Sequence, residues 1–68
     1  MSDVLKVIEI MSESSKSWED AAATAVARAS KTLKGIRSIY IEHFEAKVEN
    51  DKITQYRIDG KVSFLLEK

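Results

Sequence analysis

IRSIYIEHFEAKVENDKITQYRIDGKVSF, residues 36–64, contains two β-prone runs separated by a turn signal, and this stretch decides the fold. The first run, residues 36–49, is rich in β-branched and aromatic residues, and the second, residues 53–67, alternates apolar and polar side chains. Asn50 and Asp51 lie between them, and asparagine tolerates the positive φ that a two-residue type I′ turn requires. The stretch therefore predicts a long β-hairpin.

The two strands of this hairpin differ in how their apolar side chains are distributed. Residues 53–67 have one apolar and one polar face, which is typical of a half-buried strand. Residues 36–49 have apolar side chains on both parities, and the apolar parity changes near Ile41 and Glu42. Such a change predicts a β-bulge. Gly60 in the third strand indicates a bend, or a close approach of the helix.

Two further elements precede the hairpin. Residues 3–11 predict a strand that is largely apolar on both faces. Residues 18–33 predict a helix, because apolar residues recur at intervals of three and four and Gly35 suits the position after a helix end. Ser17 is the expected N-cap, and Asp20 stands at the N3 position of a pair that resembles a capping box.

The apolar stripe of the helix is mostly alanine, which allows the helix to approach a sheet closely. Its members are Trp18, Ala21, Ala22, Ala25, Val26, Ala29 and Leu33. The order of elements predicts the α+β class, a β-α-β-β fold with a three-stranded antiparallel sheet curled around one helix, as a single domain over residues 1–68. One helix cannot cover both faces of that sheet, so we expect the second apolar face to meet another subunit.

Length and composition limit the class of protein. A chain of 68 residues buries a marginal core, and without cysteine it has neither disulfides nor thiolate metal sites, which favours a homo-oligomer. Eleven basic and eleven acidic residues give zero net charge, which argues against a nucleic-acid partner. The apolar runs are too short for a membrane span and no signal-peptide pattern is present, so we expect a cytoplasmic protein.

No motif in the sequence predicts catalysis. The only glycines are Gly35 and Gly60, so a glycine-rich phosphate loop is absent. The single histidine, His43, is expected to be a surface or pocket histidine near a carboxylate rather than a catalytic base, and Glu45 on the same face of its strand could be that carboxylate. Trp18 is expected to anchor the core or a subunit interface. The sequence therefore predicts a protein that is not an enzyme.

Two features are compatible with ligand binding. Arg57 lies mid-strand on a polar face, where it could contact an anionic ligand or a carboxylate of a neighbouring subunit, and both interpretations stay open. Acidic side chains could bind calcium if symmetry brought several copies together, although EF-hand spacing is absent. These acids are Glu42, Glu45, Glu49 and Asp51.

The chain resembles the dodecin family over essentially its full length. The resemblance rests on VLKVIEIM, SKSWEDAA, ARASKTLKGI, IRSIYIE, ENDKI and QYRIDGKVSF. It implies a β-α-β-β subunit, twelve of which form a hollow shell of tetrahedral symmetry. It further implies a storage or protective protein that binds flavins, typically as stacked pairs at the two-fold axes.

The residues that the family uses for flavin are replaced in this sequence. By resemblance, Ser38 stands where the flavin-stacking tryptophan belongs, and Arg57 where a glutamine hydrogen-bonds the flavin ring. Glu45 and Leu65 stand where some members carry basic residues that meet the flavin phosphate. Aromatic stacking contributes about 0.5–1.5 kcal/mol beyond burial. We therefore expect Ser38, Glu45 and Arg57 to line a diverged ligand pocket that binds flavin weakly or not at all.

The resemblance also implies an alternative ligand. A branch of dodecins that lacks the tryptophan, and has arginine after the third-strand tyrosine, is associated with calcium binding. The chain is similar to that branch at IR, YRI and VSF. Calcium is thus the alternative to flavin, and no metal ligands are assigned from the sequence.

Overall fold

The structure, a computed structural model, describes residues 2–66. Its elements are β1 (Leu5–Ser14), α1 (Trp18–Ala29), β2 (Ile36–Glu49) and β3 (Lys52–Leu65). The strands form one antiparallel sheet in the order β1-β3-β2, so the third strand is central and the other two are edge strands. The predicted α+β class and β-α-β-β order are confirmed.

Several element boundaries differ from those predicted. β1 continues beyond its predicted end because Ser14 still pairs with Tyr56. The helix ends at Ala29 rather than near residue 33, because the chain then tightens into turns with hydrogen bonds that span three residues. Gly35 has the left-handed conformation expected of it, with φ 73°, but in the loop before β2 rather than next to the helix. The last residue of the predicted third strand lies outside the described residues.

The turn of the hairpin has the predicted geometry. Asn50 and Asp51 have φ of 52° and 66°, and Glu49 pairs with Lys52 across them. Two consecutive positive φ values identify a type I′ turn, whose twist matches that of the flanking strands.

The predicted bulge in β2 is also present. Ile41 pairs with Gly60 and His43 pairs with Asp59, so Glu42 is the extra residue. The bulge shifts the parity of the strand, so Ile39, Ile41 and Phe44 all lie on the face of β2 that faces the helix. This shift lets β2 present apolar side chains to the core on either side of the irregularity.

The sequence predicted either a bend at Gly60 or a close approach of the helix. The element that approaches Gly60 is β2 and not the helix, so the second of these predictions is wrong. A Cβ atom at Gly60 would lie 2.0 Å from the carbonyl oxygen of Tyr40 and 3.1 Å from the Cα atom of Ile41. The glycine is therefore required where the backbone of the bulged strand approaches β3.

Hydrogen bonds at its N-terminus hold the helix against β1. The Ser17 hydroxyl accepts a bond of 2.9 Å from the backbone N–H of Asp20, as expected of an N-cap. The Asp20 carboxylate does not close a capping box; it accepts a bond of 2.6 Å from the buried hydroxyl of Ser14. The last residue of β1 thus fixes where the helix begins.

The core is small and lies between the helix and β3, where Ala21, Ile58 and Val62 are buried. The opposite face of the sheet carries apolar side chains that are 45–65% exposed: Leu5, Val7, Met11 and Tyr40. The second apolar face expected from the sequence therefore has no cover within the described part of the chain. None of the helices in residues 2–66 has the length and apolar character to cross a membrane.

Candidate ligand-binding face of the sheet

The three predicted pocket residues lie on the sheet face that points away from the helix. Their strand neighbours Ile58 and Val62 are buried beneath the helix, and side chains alternate along a strand. Glu45 pairs with Arg57 across β2 and β3, so these two side chains are brought together. Ser38 pairs with Ser63 nearer the other end of the sheet and is not part of that group.

Arg57 connects all three strands through two carboxylates of its own chain. Its Nε and Nη2 atoms donate to Oε1 of Glu13 at 2.9 and 2.6 Å, and its Nη1 donates to Oε1 of Glu45 at 3.3 Å. Glu13 lies on β1 and Glu45 on β2. Three of the five N–H donors of Arg57 are therefore engaged within the chain, rather than by a ligand or a neighbouring subunit.

The two carboxylates further stabilise the charged form of Arg57. The hydrogen bond from Arg57 to Glu13, and then the proximity of that carboxylate, raise the pKa of Arg57 above its ordinary value. On the alkaline side, the stabilisation from this charge is therefore lost only when pH rises through the raised arginine pKa. Across neutral pH the guanidinium is therefore a fixed cation among carboxylates.

Glu13 is a member of this group that sequence reasoning missed. It belongs to the segment predicted as loop after residue 11, and it reaches Arg57 only because β1 extends and pairs with β3 in one register. That register is set by contacts distant in sequence, so no local motif identifies the pair. The only local signal for Glu13 is its parity, which places it on the same face of β1 as Glu9 and Met11 if the strand continues to residue 13.

The position of the missing tryptophan is occupied by a serine pair. The hydroxyl oxygens of Ser38 and Ser63 lie 2.6 Å apart and form a hydrogen bond. The nearby Tyr40 is 65% exposed and pairs with Lys61, one row further along the sheet. Leu65 pairs with Leu5 and adds no charge. This end of the face therefore offers small hydroxyls and aliphatic side chains rather than an aromatic stacking surface.

His43 has a different partner from the one predicted. Its Nδ1 atom lies 2.9 Å from Oδ1 of Asp59 on β3, and the hydrogen bond is made there rather than to Glu45. The bulge at Glu42 places His43 opposite Asp59, while Arg57 engages Glu45. His43 is therefore an exposed histidine near a carboxylate, as expected, but the cross-strand register makes that carboxylate Asp59 rather than Glu45.

Trp18 anchors the helix to the hairpin, as predicted for a core residue. Its indole N–H donates to the backbone oxygen of Glu45 at 3.0 Å. Its ring makes edge contacts with Phe44 and Tyr56, at centroid distances of 6.0 and 4.9 Å. Trp18 thereby fixes the part of β2 that carries Glu45.

Acidic side chains predominate on this face. They are Glu9, Glu13, Glu42, Glu45 and Asp59, against the cations Lys47, Arg57 and Lys61. Glu9, Glu42 and Asp59 line one shallow cavity of about 300 Å³. Outside its lining, Nζ of Lys61 lies 3.7 Å from Oε2 of Glu42. Nevertheless, residues 2–66 contain no group of three or more histidine, cysteine or acidic side chains placed to hold a metal ion.

The remaining predicted acids lie elsewhere. Glu49 and Asp51 are at the hairpin turn, beyond the end of β1. The described part of one chain therefore does not gather the six to eight oxygen ligands that calcium prefers. Its acidic face instead creates a potential that attracts cations.

The chain is similar in sequence to one protein family and to a characterised member of it. The sequence matches the dodecin family profile over residues 4–67. It is 41% identical over 61 residues to the calcium dodecin of Mycobacterium tuberculosis, a match that covers 90% of this chain and 86% of that protein.

Solved structures are similar to the whole fold. A dodecin variant from Thermus thermophilus matches with a TM-score of 0.92 and 27% identity, covering 98% of this chain and 100% of that one. The crystal structure of the M. tuberculosis calcium dodecin, described as calcium chelating with a novel calcium-binding site, matches with a TM-score of 0.81 and 42% identity. That match covers 94% of this chain and 91% of the other.

Proposed function

Because the chain belongs to the dodecin family, we propose that it assembles into a hollow cytoplasmic dodecamer that binds, stores or sequesters a small ligand. It is not an enzyme, in keeping with the dodecins that it matches. Residues 1–68 act as one domain in this proposal. The exposed apolar side chains opposite the helix support assembly, because one small domain gains stability by covering them with other copies.

We further propose that the ligand is not a flavin bound in the usual dodecin manner. The observation that carries this proposal is the pair of carboxylates on Arg57, at 2.6 Å from Glu13 and 3.3 Å from Glu45. Three of the five guanidinium N–H groups would have to leave these carboxylates before they could reach a flavin ring. The same carboxylates repel a flavin phosphate.

The serine pair supports the same conclusion. Ser38 and Ser63 satisfy each other by a hydrogen bond and present no aromatic surface to a flavin ring. A ligand at this face would therefore lose both the stacking and the ring recognition that the family resemblance implies.

Isolation of the protein with excess riboflavin tests this proposal. We expect a particle of about twelve times the 7.7 kDa chain mass by light scattering, colourless after gel filtration. A yellow particle with one flavin per chain would contradict the absence of flavin, and a monomer would contradict the shell. Light scattering thus tests the assembly, and the colour after gel filtration tests flavin binding independently of it.

Calcium is the second candidate ligand. It is favoured by the acidic character of the sheet face and by the similarity to a protein named calcium dodecin. Because the described part of one chain does not gather a metal site, calcium binding requires carboxylates from several copies.

Calorimetry after chelator treatment tests this candidate. We expect calcium to release or absorb heat and to raise the melting temperature, since binding only the native assembly stabilises it. Glu42→Gln is the test variant on the acidic face, and Glu19→Gln on the helix is the matched control, with magnesium as the competing ion. Absence of heat and of a melting shift would exclude calcium.

A further inference from the structure

A cation of the chain itself lies between two carboxylates of the sheet face. The guanidinium of Arg57 lies 2.6 Å from Oε1 of Glu13 on β1 and 3.3 Å from Oε1 of Glu45 on β2. Hydrogen bonds between ionised partners are about twice as strong as those between neutral ones. Each edge strand thus directs one carboxylate at the same cation on the central strand.

The other carboxylates of this face are held less closely. Nζ of Lys61 lies 3.7 Å from Oε2 of Glu42, and Asp59 shares its hydrogen bond with a histidine ring. Glu9 forms no ion pair with any residue of 2–66. A lysine ammonium is a mobile point charge, whereas a guanidinium presents a rigid fork of donors that suits carboxylates. The carboxylates bound to the guanidinium are therefore those that a foreign cation reaches least readily.

We propose that Arg57 is a specificity-determining residue of this face, because it closes the Glu13–Glu45 pair to metal ions. A metal ion that binds the face then takes its oxygen ligands elsewhere. An ion at the pair would have to displace the guanidinium and would afterwards lie beside it, where two cations repel each other. Since arginine stays charged, no pH near neutrality opens the pair. The inference rests on the proposed binding of cations by this face, and it names the residue that restricts where they bind.

Arg57→Gln removes the charge and leaves the two carboxylates beside an amide oxygen. Carboxylate and amide oxygens are the ligands that calcium prefers. Removing one unit charge from within about 4 Å of a divalent ion raises the affinity for that ion at least about tenfold, even with the screening of bulk water. The variant should therefore gain an ion site that the natural chain lacks.

Terbium(III), an ion with the oxygen-ligand preference of calcium, reports on the pair through Trp18. The indole N–H donates to the backbone oxygen of Glu45 at 3.0 Å, so an ion bound by that residue lies close to the ring that excites it. Trp18 is the only tryptophan of the chain. Titration of its sensitised terbium emission gives the affinity, and excess calcium should reverse the signal.

We expect Arg57→Gln to bind terbium at least about tenfold more tightly than the natural chain, and the addition of Glu13→Gln to abolish that gain. Lys61→Gln is the matched control, since it removes the same charge from the same face and leaves Arg57 on its carboxylates. Any gain from Lys61→Gln should persist when Glu13→Gln is added. No gain in Arg57→Gln, or a gain that does not depend on Glu13, would overturn the inference.

Glu13→Gln alone gives a test that does not need the arginine variant to fold. Because Glu13 is held by Arg57, its substitution should change the terbium affinity of the natural chain less than about twofold at physiological salt, where distant charges are screened. A tenfold loss would identify Glu13 as a metal ligand and overturn the inference. A natural chain that binds no terbium would contradict the calcium candidate, whereas a Glu13-dependent gain in Arg57→Gln would still support closure of the pair by arginine.

Discussion

Replacing Gly60 with alanine tests whether the bulged strand is positioned as described. The added Cβ atom would lie 2.0 Å from the carbonyl oxygen of Tyr40 and 3.0 Å from its carbonyl carbon. Cβ atoms do not approach other atoms within 3.0 Å, so the β2 backbone must move away by about 1 Å. Such overpacking costs roughly 1–3 kcal/mol and occasionally more, and contact with backbone favours the upper end of that range.

The assay is urea unfolding at fixed protein concentration, followed by circular dichroism and by Trp18 fluorescence. We expect Gly60→Ala to lower the free energy of unfolding by about 3 kcal/mol. Gly35→Ala is the comparison, because its φ of 73° is strained for alanine but its closest contact is the Cβ atom of Leu65 at 3.1 Å. It should cost about 1–2 kcal/mol.

A loss below about 0.5 kcal/mol for Gly60→Ala, the range of neutral surface substitutions, would refute the described approach of the two strands. A loss smaller than that of Gly35→Ala would equally contradict it. In either case the bulge at Glu42 would not hold β2 in its register, and the positions of His43 and Glu45 on the candidate face would need revision.

Three further substitutions test local features by thermal melting. Asp51→Gly should stabilise the protein by about 1 kcal/mol because glycine adopts the positive φ of the turn without strain, and a lower melting temperature would argue against a type I′ turn. Ser17→Ala should cost about 1 kcal/mol through loss of the N-cap, with Ser15→Ala as a near-neutral control; equal effects would contradict the cap. Trp18→Phe should cost about 1 kcal/mol through the lost bond to the Glu45 carbonyl, and an unchanged melting temperature would show that this bond is not formed.

Much of the fold could be predicted from the sequence because its signals are local. Alternating side chains located the strands, Asn50 and Asp51 located the turn, and the change of parity near Glu42 located the bulge. The end of the helix was less predictable, since Leu33 continues the apolar spacing although the helix ends at Ala29.

The candidate site was harder to predict because it depends on register between distant strands. Arg57 stood out on a polar face, but its partner Glu13 is brought to it by the pairing of β1 with β3. The same pairing rule, applied to β2 and β3, gives His43 the partner Asp59 instead of Glu45. Sequence parity predicts which side chains share a face, and only the register decides which of them touch.

Fluorescence titration of riboflavin tests the central claim, that Arg57 and Ser38 have replaced the flavin mode of the family. The natural chain is compared with the double variant Ser38→Trp with Arg57→Gln, which restores the aromatic and amide side chains implied by the family resemblance. We expect weak quenching by the natural chain and strong quenching by the double variant, with stacking alone worth about 0.5–1.5 kcal/mol of affinity. Equal quenching by the two proteins would contradict the account.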